Sequence, residues 1–132
     1  MATTGVITST TDRRSVEPHR KQTWEVVARA TWASGDTAAV TITVPNVNGI
    51  LGSMTVKNSN ATNPITVSAS LTDELGGVYP NFTAIAENSS AVKTSSTDFD
   101  AVPINGDYTL TITPSGDPGA SGLTVDVSLK GV

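Results

Sequence analysis

Ile65-Thr66-Val67-Ser68-Ala69-Ser70-Leu71 alternates an apolar residue with a hydroxyl residue at every step. Successive side chains of a β-strand point to opposite faces, so this stretch reads as a strand with one face on a core and one in water. Leu123-Thr-Val-Asp-Val-Ser-Leu129 repeats the pattern, as does Tyr108 with Leu110 and Ile112 between threonines. Trp24, Val26, Ala28, Ala30 and Trp32 share one parity, and Val40, Ile42 and Val44 alternate with Thr41 and Thr43 before Pro45 ends the run. The turn at Ser34-Gly35-Asp36 predicts that these last two strands form a hairpin.

Further strands are expected over residues 50–57, where Gly52 suggests a bulge, and over residues 78–87, where Pro80 requires an edge or bulged position. The segment 88–98 reads as a loop with a short strand near Val92, and residues 114–122 as a flexible surface loop. Seven or eight strands with turn signals between them and no helical period predict an all-β fold, an antiparallel β-sandwich that is Ig-like or jelly-roll-like, with an extended N-terminal arm. The two cysteines flanking a tryptophan that mark the strict immunoglobulin family are missing.

The arm is residues 1–22 and the sandwich domain residues 23–132. Four of the eight Lys and Arg residues (Arg13, Arg14, Arg20, Lys21) and the single histidine, His19, fall in the arm. Residues 1–29 hold five basic and three acidic residues, a balance of +2, while residues 30–132 hold three and nine, a balance of −6. An acidic body is poorly suited to nucleic acid, which needs a Lys/Arg patch. There is no cysteine, so disulfides and thiolate chemistry are excluded. The opening Met-Ala-Thr-Thr-Gly carries no signal sequence and no apolar run of spanning length follows, which predicts a chain made and kept in a cytoplasm, with no membrane partner.

Chemistry is sparse. His19 sits beside Pro18, where nothing would preorganise it as a base, so no catalytic residue is assigned. Asp98 and Asp100 would share a face of an extended segment and offer oxygens to a hard cation, yet no full calcium-loop spacing is present and loop aspartates commonly cap turns; neither a metal nor a cofactor is assigned. Gly116, Gly119 and Gly122 lead into a strand, unlike a phosphate loop, which leads into a helix. Three glycosylation sequons stand at Asn60, Asn81 and Asn88, and a chain so rich in Asn, Ser and Thr contains some by chance. Trp24 and Trp32 have core parity, leaving Tyr79 and Phe99, near loops, as the exposed rings that a carbohydrate-binding module would use. In the arm, Val6 and Ile7 lie among β-formers, so residues 3–11 are able to add as a strand to a neighbour's sheet edge, the alternative being a solvated tail.

Four segments carry a resemblance: Val47-Asn-Gly-Ile-Leu-Gly-Ser-Met-Thr-Val; Thr62-Asn-Pro-Ile-Thr-Val-Ser-Ala-Ser-Leu-Thr-Asp-Glu-Leu-Gly-Gly-Val; Thr83-Ala-Ile-Ala-Glu-Asn; and Thr111-Ile-Thr-Pro-Ser-Gly-Asp-Pro-Gly-Ala-Ser-Gly-Leu-Thr-Val-Asp-Val. Together they resemble small β-rich virion structural proteins of tailed bacteriophages, over the chain from about residue 40 onward. The resemblance implies a non-enzymatic capsid decoration or cement protein on the outer capsid surface of the virion, assembled in the host cytoplasm. It implies the major capsid protein as partner and a homo-oligomer, most often a trimer. In that setting Arg13, Arg14, His19, Arg20 and Lys21 become the contacts to capsid carboxylates. A place in the tail or baseplate, and a carbohydrate-binding or host-adhesion module, stand as alternatives.

Overall fold

The computed structural model describes residues 3–12, 23–45, 48–76, 78–95, 97–98, 102–104, 106 and 108–132, with the backbone alone at Val78, Tyr79 and Val102. Among them are ten strands: β1 (Thr4–Asp12), β2 (Trp24–Trp32), β3 (Val40–Val44), β4 (Gly49–Asn58), β5 (Val67–Thr72), β6 (Val78–Ile85), β7 (Ser89–Thr94), β8 (Val102–Ile104), β9 (Tyr108–Pro114) and β10 (Leu123–Gly131). They form two antiparallel sheets. Sheet A runs β1-β2-β10-β4-β7, with β8 also on β4, and sheet B runs β3-β9-β5-β6.

With β1 and β8 set aside, every consecutive pair of strands except the neighbours β5 and β6 lies in opposite sheets, in the orders 2-10-4-7 and 3-9-5-6, the wiring of an eight-stranded jelly roll. Of the two sandwich types the sequence allows, the topology therefore selects the jelly roll. The sandwich is held by the periodicity read from the sequence: Trp24, Val26, Trp32, Leu51, Met54, Leu71, Leu110, Ile112, Val127 and Leu129 all point inward and are buried. At roughly 25 cal/mol per Å² of apolar surface removed from water, this inner layer supplies the main driving force of the fold.

Gly52 stands at a bulge, between the Leu51↔Gly131 and Ser53↔Lys130 pairs, and β6 with Pro80 is an edge strand, both as the sequence predicts. The strand near Val92 is β7. The predicted hairpin is not formed. β2 belongs to sheet A and β3 to sheet B, so the chain crosses the side of the sandwich between them. Trp32 fixes that crossing, its indole Nε1 donating to the Ala38 carbonyl at 2.7 Å, and Ala38 N–H donates to the Asp36 carboxylate at 3.0 Å. Turn residues at 34–36 reverse the chain equally well into the same sheet or the facing one. The sequence also passes over β8, whose three residues are too few to show a period.

Candidate interaction surface

The N-terminal segment expected to seek another surface lies on its own body. β1 pairs with β2 from Thr4↔Thr31 to Asp12↔Trp24, on the side of β2 opposite to β10. Two polar contacts hold its start: Ala33 N–H donates to the Thr3 hydroxyl at 2.9 Å, and the Thr4 and Thr31 hydroxyls meet at 2.9 Å. The Thr3 hydroxyl also bonds Asp36 and, with the Ala38 N–H, draws that carboxyl below the ordinary aspartate range. Gly5 is required by packing, since a Cβ there would stand 2.5 Å from Val40 Cγ1 and 2.7 Å from Ile42 Cγ1 of β3. Ile7 packs against the edge of the core.

A bulge between Ile7 and Ser9 then changes the parity of β1, and the Thr8 hydroxyl donates to the Val27 carbonyl beside it at 3.1 Å. Beyond the bulge, Thr10 and Asp12 stand opposite the inward residues Val26 and Trp24, yet both are exposed. The first half of β1 is thus docked against β3, and the second half overhangs.

The ladder ends at one pole of the sandwich, where Asp12, Trp24, Gly131 and Leu51 lie in register across four strands. Trp24 is buried, and its Nε1 donates to the Val132 carbonyl at 3.3 Å. Gly131 lets the strands meet there, because a Cβ would collide with the Ile50 carbonyl and the Trp24 ring. An open cleft of about 520 Å³ follows the pole, lined by Thr11, Trp24, Glu25, Ser53 and Lys130 among others. Ile50, 45% exposed, and Val132, 46% exposed, form an apolar patch with Pro103 beside it.

Residues 13–22 join Asp12 to Thr23, so the basic stretch leaves and rejoins the body at this pole, beside the single terminal pair Asp12↔Trp24 of the β1/β2 ladder. Arg13, Arg14, His19, Arg20 and Lys21 themselves lie outside the described residues, as does Phe99; of Tyr79 the backbone is described, in β6, a strand at the edge of sheet B.

At the opposite pole, residues 114–122 are pinned, contrary to the flexible loop expected. The Asp117 carboxylate accepts from Gly35 N–H at 2.9 Å and Gly119 N–H at 2.8 Å, and the Asn63 side-chain amide donates to the Asp117 carbonyl at 2.9 Å. Asn63 N–H donates to the Pro118 carbonyl at 3.0 Å, and Ser121 N–H to the Thr62 hydroxyl at 3.2 Å. Gly119, at φ +90, takes a conformation that side chains disfavour. Three loops distant in sequence close on one another there, a long-range match that no local turn signal announces.

The outer faces differ in charge. On sheet A, Arg29 meets Asp126 with Nε to Oδ1 at 2.7 Å, which raises the Arg29 pKa, and Lys130 stands 3.4 Å from Glu25. On sheet B, Thr41, Thr111, Ser70 and Asn81 form one row across four strands and Thr43, Thr109 and Thr72 a second, with no charge in either.

Among the described residues no three His, Cys, Asp or Glu side chains converge to hold a metal. Asp98 caps its own turn, accepting from Thr94 N–H at 2.9 Å, while Asp100 lies outside the described residues. Asn58 escaped the sequence reading: it is buried, and its amide donates to the Ile85 carbonyl at 3.0 Å, tying β4 of one sheet to β6 of the other. A polar residue on inward parity at the end of β4 was the available signal.

No family model matches the chain, and no curated protein matches it in sequence. Among solved structures it is similar to a chain from Bacillus endospore appendages, which form disulfide-linked pili, at 17% identity and a TM-score of 0.45 over 100% of this chain and 91% of that one. It is similar to a carbohydrate-binding module of Cellvibrio mixtus lichenase 5A in complex with cellotriose, at 11% identity and a TM-score of 0.30 over 100% and 98%. A third likeness, to infectious bursal disease virus Gx strain, has 12% identity and a TM-score of 0.25 over 80% of this chain and 32% of that one. All three are distant, and none bears on what this chain binds.

Proposed function

We propose that this chain is a non-enzymatic virion structural protein of the tailed-bacteriophage kind, a head decoration or cement protein that binds and stabilises the major capsid lattice as a homo-oligomer. The observation that carries this reading is the jelly-roll wiring around a filled apolar interior. Jelly rolls serve viral shells and lectins among other roles, and function on such a fold lies in its surface. Trp24 and Trp32 are buried in the core, so a glycan-binding alternative rests on Tyr79 and Phe99.

The lattice contact in this proposal is the pole that joins the Ile50, Pro103 and Val132 patch to the basic stretch of residues 13–22. The apolar patch supplies desolvated contact area, and Arg13, Arg14, His19, Arg20 and Lys21 meet capsid carboxylates around it. The stretch is flanked by paired strands on both sides, β1 and β2, in place of hanging from one.

Because β1 is a strand of the body, deleting residues 1–22 would damage the fold along with the contact. The cleaner test replaces Arg13, Arg14, His19, Arg20 and Lys21 with Gln and measures co-sedimentation with purified capsids. With each exposed pair contributing about 0.2–1 kcal/mol, binding is expected to weaken about ten- to a hundredfold at low salt, with little difference at high salt. Unchanged capsid binding at low salt refutes the basic contact, and failure of the native chain to bind heads while it binds tails relocates the protein.

A further inference from the structure

We propose that β1 is exchanged between copies, residues 4–12 of one protomer occupying the groove beside β2 and β3 of a second copy. This rests on the homo-oligomer of the proposed function and is independent of the capsid as partner.

The acceptor is a built groove. One wall is the free edge of β2, which offers the ladder, and the floor is Val40 and Ile42 of β3, shaped so closely that only glycine fits at position 5. Its rim carries the Ala33 N–H that binds the Thr3 hydroxyl and the Thr31 hydroxyl that meets Thr4. The groove therefore recognises a short motif, a Thr-Thr-Gly-x-Ile strand, by backbone and by shape.

Nothing local commits that motif to its own chain. Antiparallel neighbours that form an intramolecular hairpin are joined by about two to five residues, whose turn fixes the register. Here Asp12 and Trp24 are ladder partners separated by 11 residues, 12–24 exclusive. Twelve residue steps reach roughly 40 Å when extended, about the breadth of a small domain, so the same β1 is able to serve a neighbour. β1 also adds little to the core: its residues are at most half-buried, whereas every second residue of β2 is buried.

An exchanged strand makes the same hydrogen bonds and the same Gly5 and Ile7 contacts as an unexchanged one. The enthalpic difference is therefore small, and local concentration decides which form is populated. Copies brought together would be joined by a strand each, and residues 13–22 would then run between protomers.

The chain has no cysteine, which gives a clean experiment. The Thr4 and Thr31 hydroxyls are in contact, so a Thr4→Cys/Thr31→Cys variant places two thiols side by side wherever β1 is docked. After oxidation of the folded protein at high concentration, a non-reducing denaturing gel is expected to show mainly covalent dimers or closed rings. Mixed Thr4→Cys and Thr31→Cys single variants, co-refolded, are expected to give the heterodimer. A product that is monomeric and internally cross-linked overturns the exchange, and so does the lack of any cross-link.

Light scattering of the unmodified chain covers the case of a variant that does not fold. Oligomers that Gly5→Val converts to monomers of native circular dichroism support exchange, and oligomers that Gly5→Val leaves intact overturn it. Capsid binding is read separately, so failure here leaves the capsid proposal to its own test.

Discussion

β2 has a neighbour on each side, and the two could hardly be bound more differently. β10 pairs with it over nine positions without a register shift, and Leu123, Val125, Val127 and Leu129 are buried with it. β1 pairs on the other side through a bulge, packs Gly5 against β3 and Ile7 against the edge of the core, and leaves Thr10 and Asp12 exposed. Both ladders offer comparable backbone hydrogen bonds, so the contrast comes from what the side chains bury. One side of β2 is the centre of the domain, and the other is a docking edge that has found an occupant.

The sharpest way to break this contrast is to cut equally into both neighbours. Leu129→Ala removes a fully buried side chain from a central strand and is expected to cost about 3 kcal/mol in chemical denaturation. Ile7→Ala, on the partly buried edge, is expected to cost about 1 kcal/mol and to leave the cooperativity of unfolding unchanged. Equal losses at the two positions would make β1 as much part of the core as β10.

A finer effect comes from pH. The Thr3 hydroxyl and Ala38 N–H hold the Asp36 carboxyl below its ordinary range, so this contact stabilises the fold above the unfolded aspartate value. That contribution is lost as pH falls through the lowered value of the folded state. Protection of the amides at the start of β1, taken relative to the intrinsic exchange rate at each pH, is therefore expected to fall on acidification in the native chain and to show a weaker dependence in Asp36→Asn, compared by hydrogen-exchange mass spectrometry. Identical acid responses would remove Asp36 from the docking of β1.

The same contrast explains what the sequence revealed. β5, β9 and β10 were legible because each has one face wholly on the core, so Val67, Ala69 and Leu71, or Val125, Val127 and Leu129, alternate without interruption. β1 was read as an arm because its inward positions are Gly5, Ile7, Thr10 and Asp12: packing demanded a glycine, the bulge changed parity, and the overhang needed no apolar residue. The latch at Asp117 joins positions 35, 63 and 119, and pairing across such separations leaves no local trace. Of the candidate contacts, the basic character of residues 13–22 was plain in the sequence, while their attachment at both ends to one pole followed only from the ladder that brackets them. The patch of Ile50, Pro103 and Val132 was invisible for a similar reason, since its members come from β4, β8 and the residue after β10.

The uneven charge of the two outer faces has a practical side. Among the described residues the lysines are Lys57, Lys93 and Lys130, on β4, β7 and β10, all strands of sheet A. Through these three, amine-reactive dyes and cross-linkers will mark sheet A, while the threonine rows of sheet B offer them no handle. A neighbour resting on those threonine rows would pass unseen through lysine-based mapping and would call for photoactivated reagents.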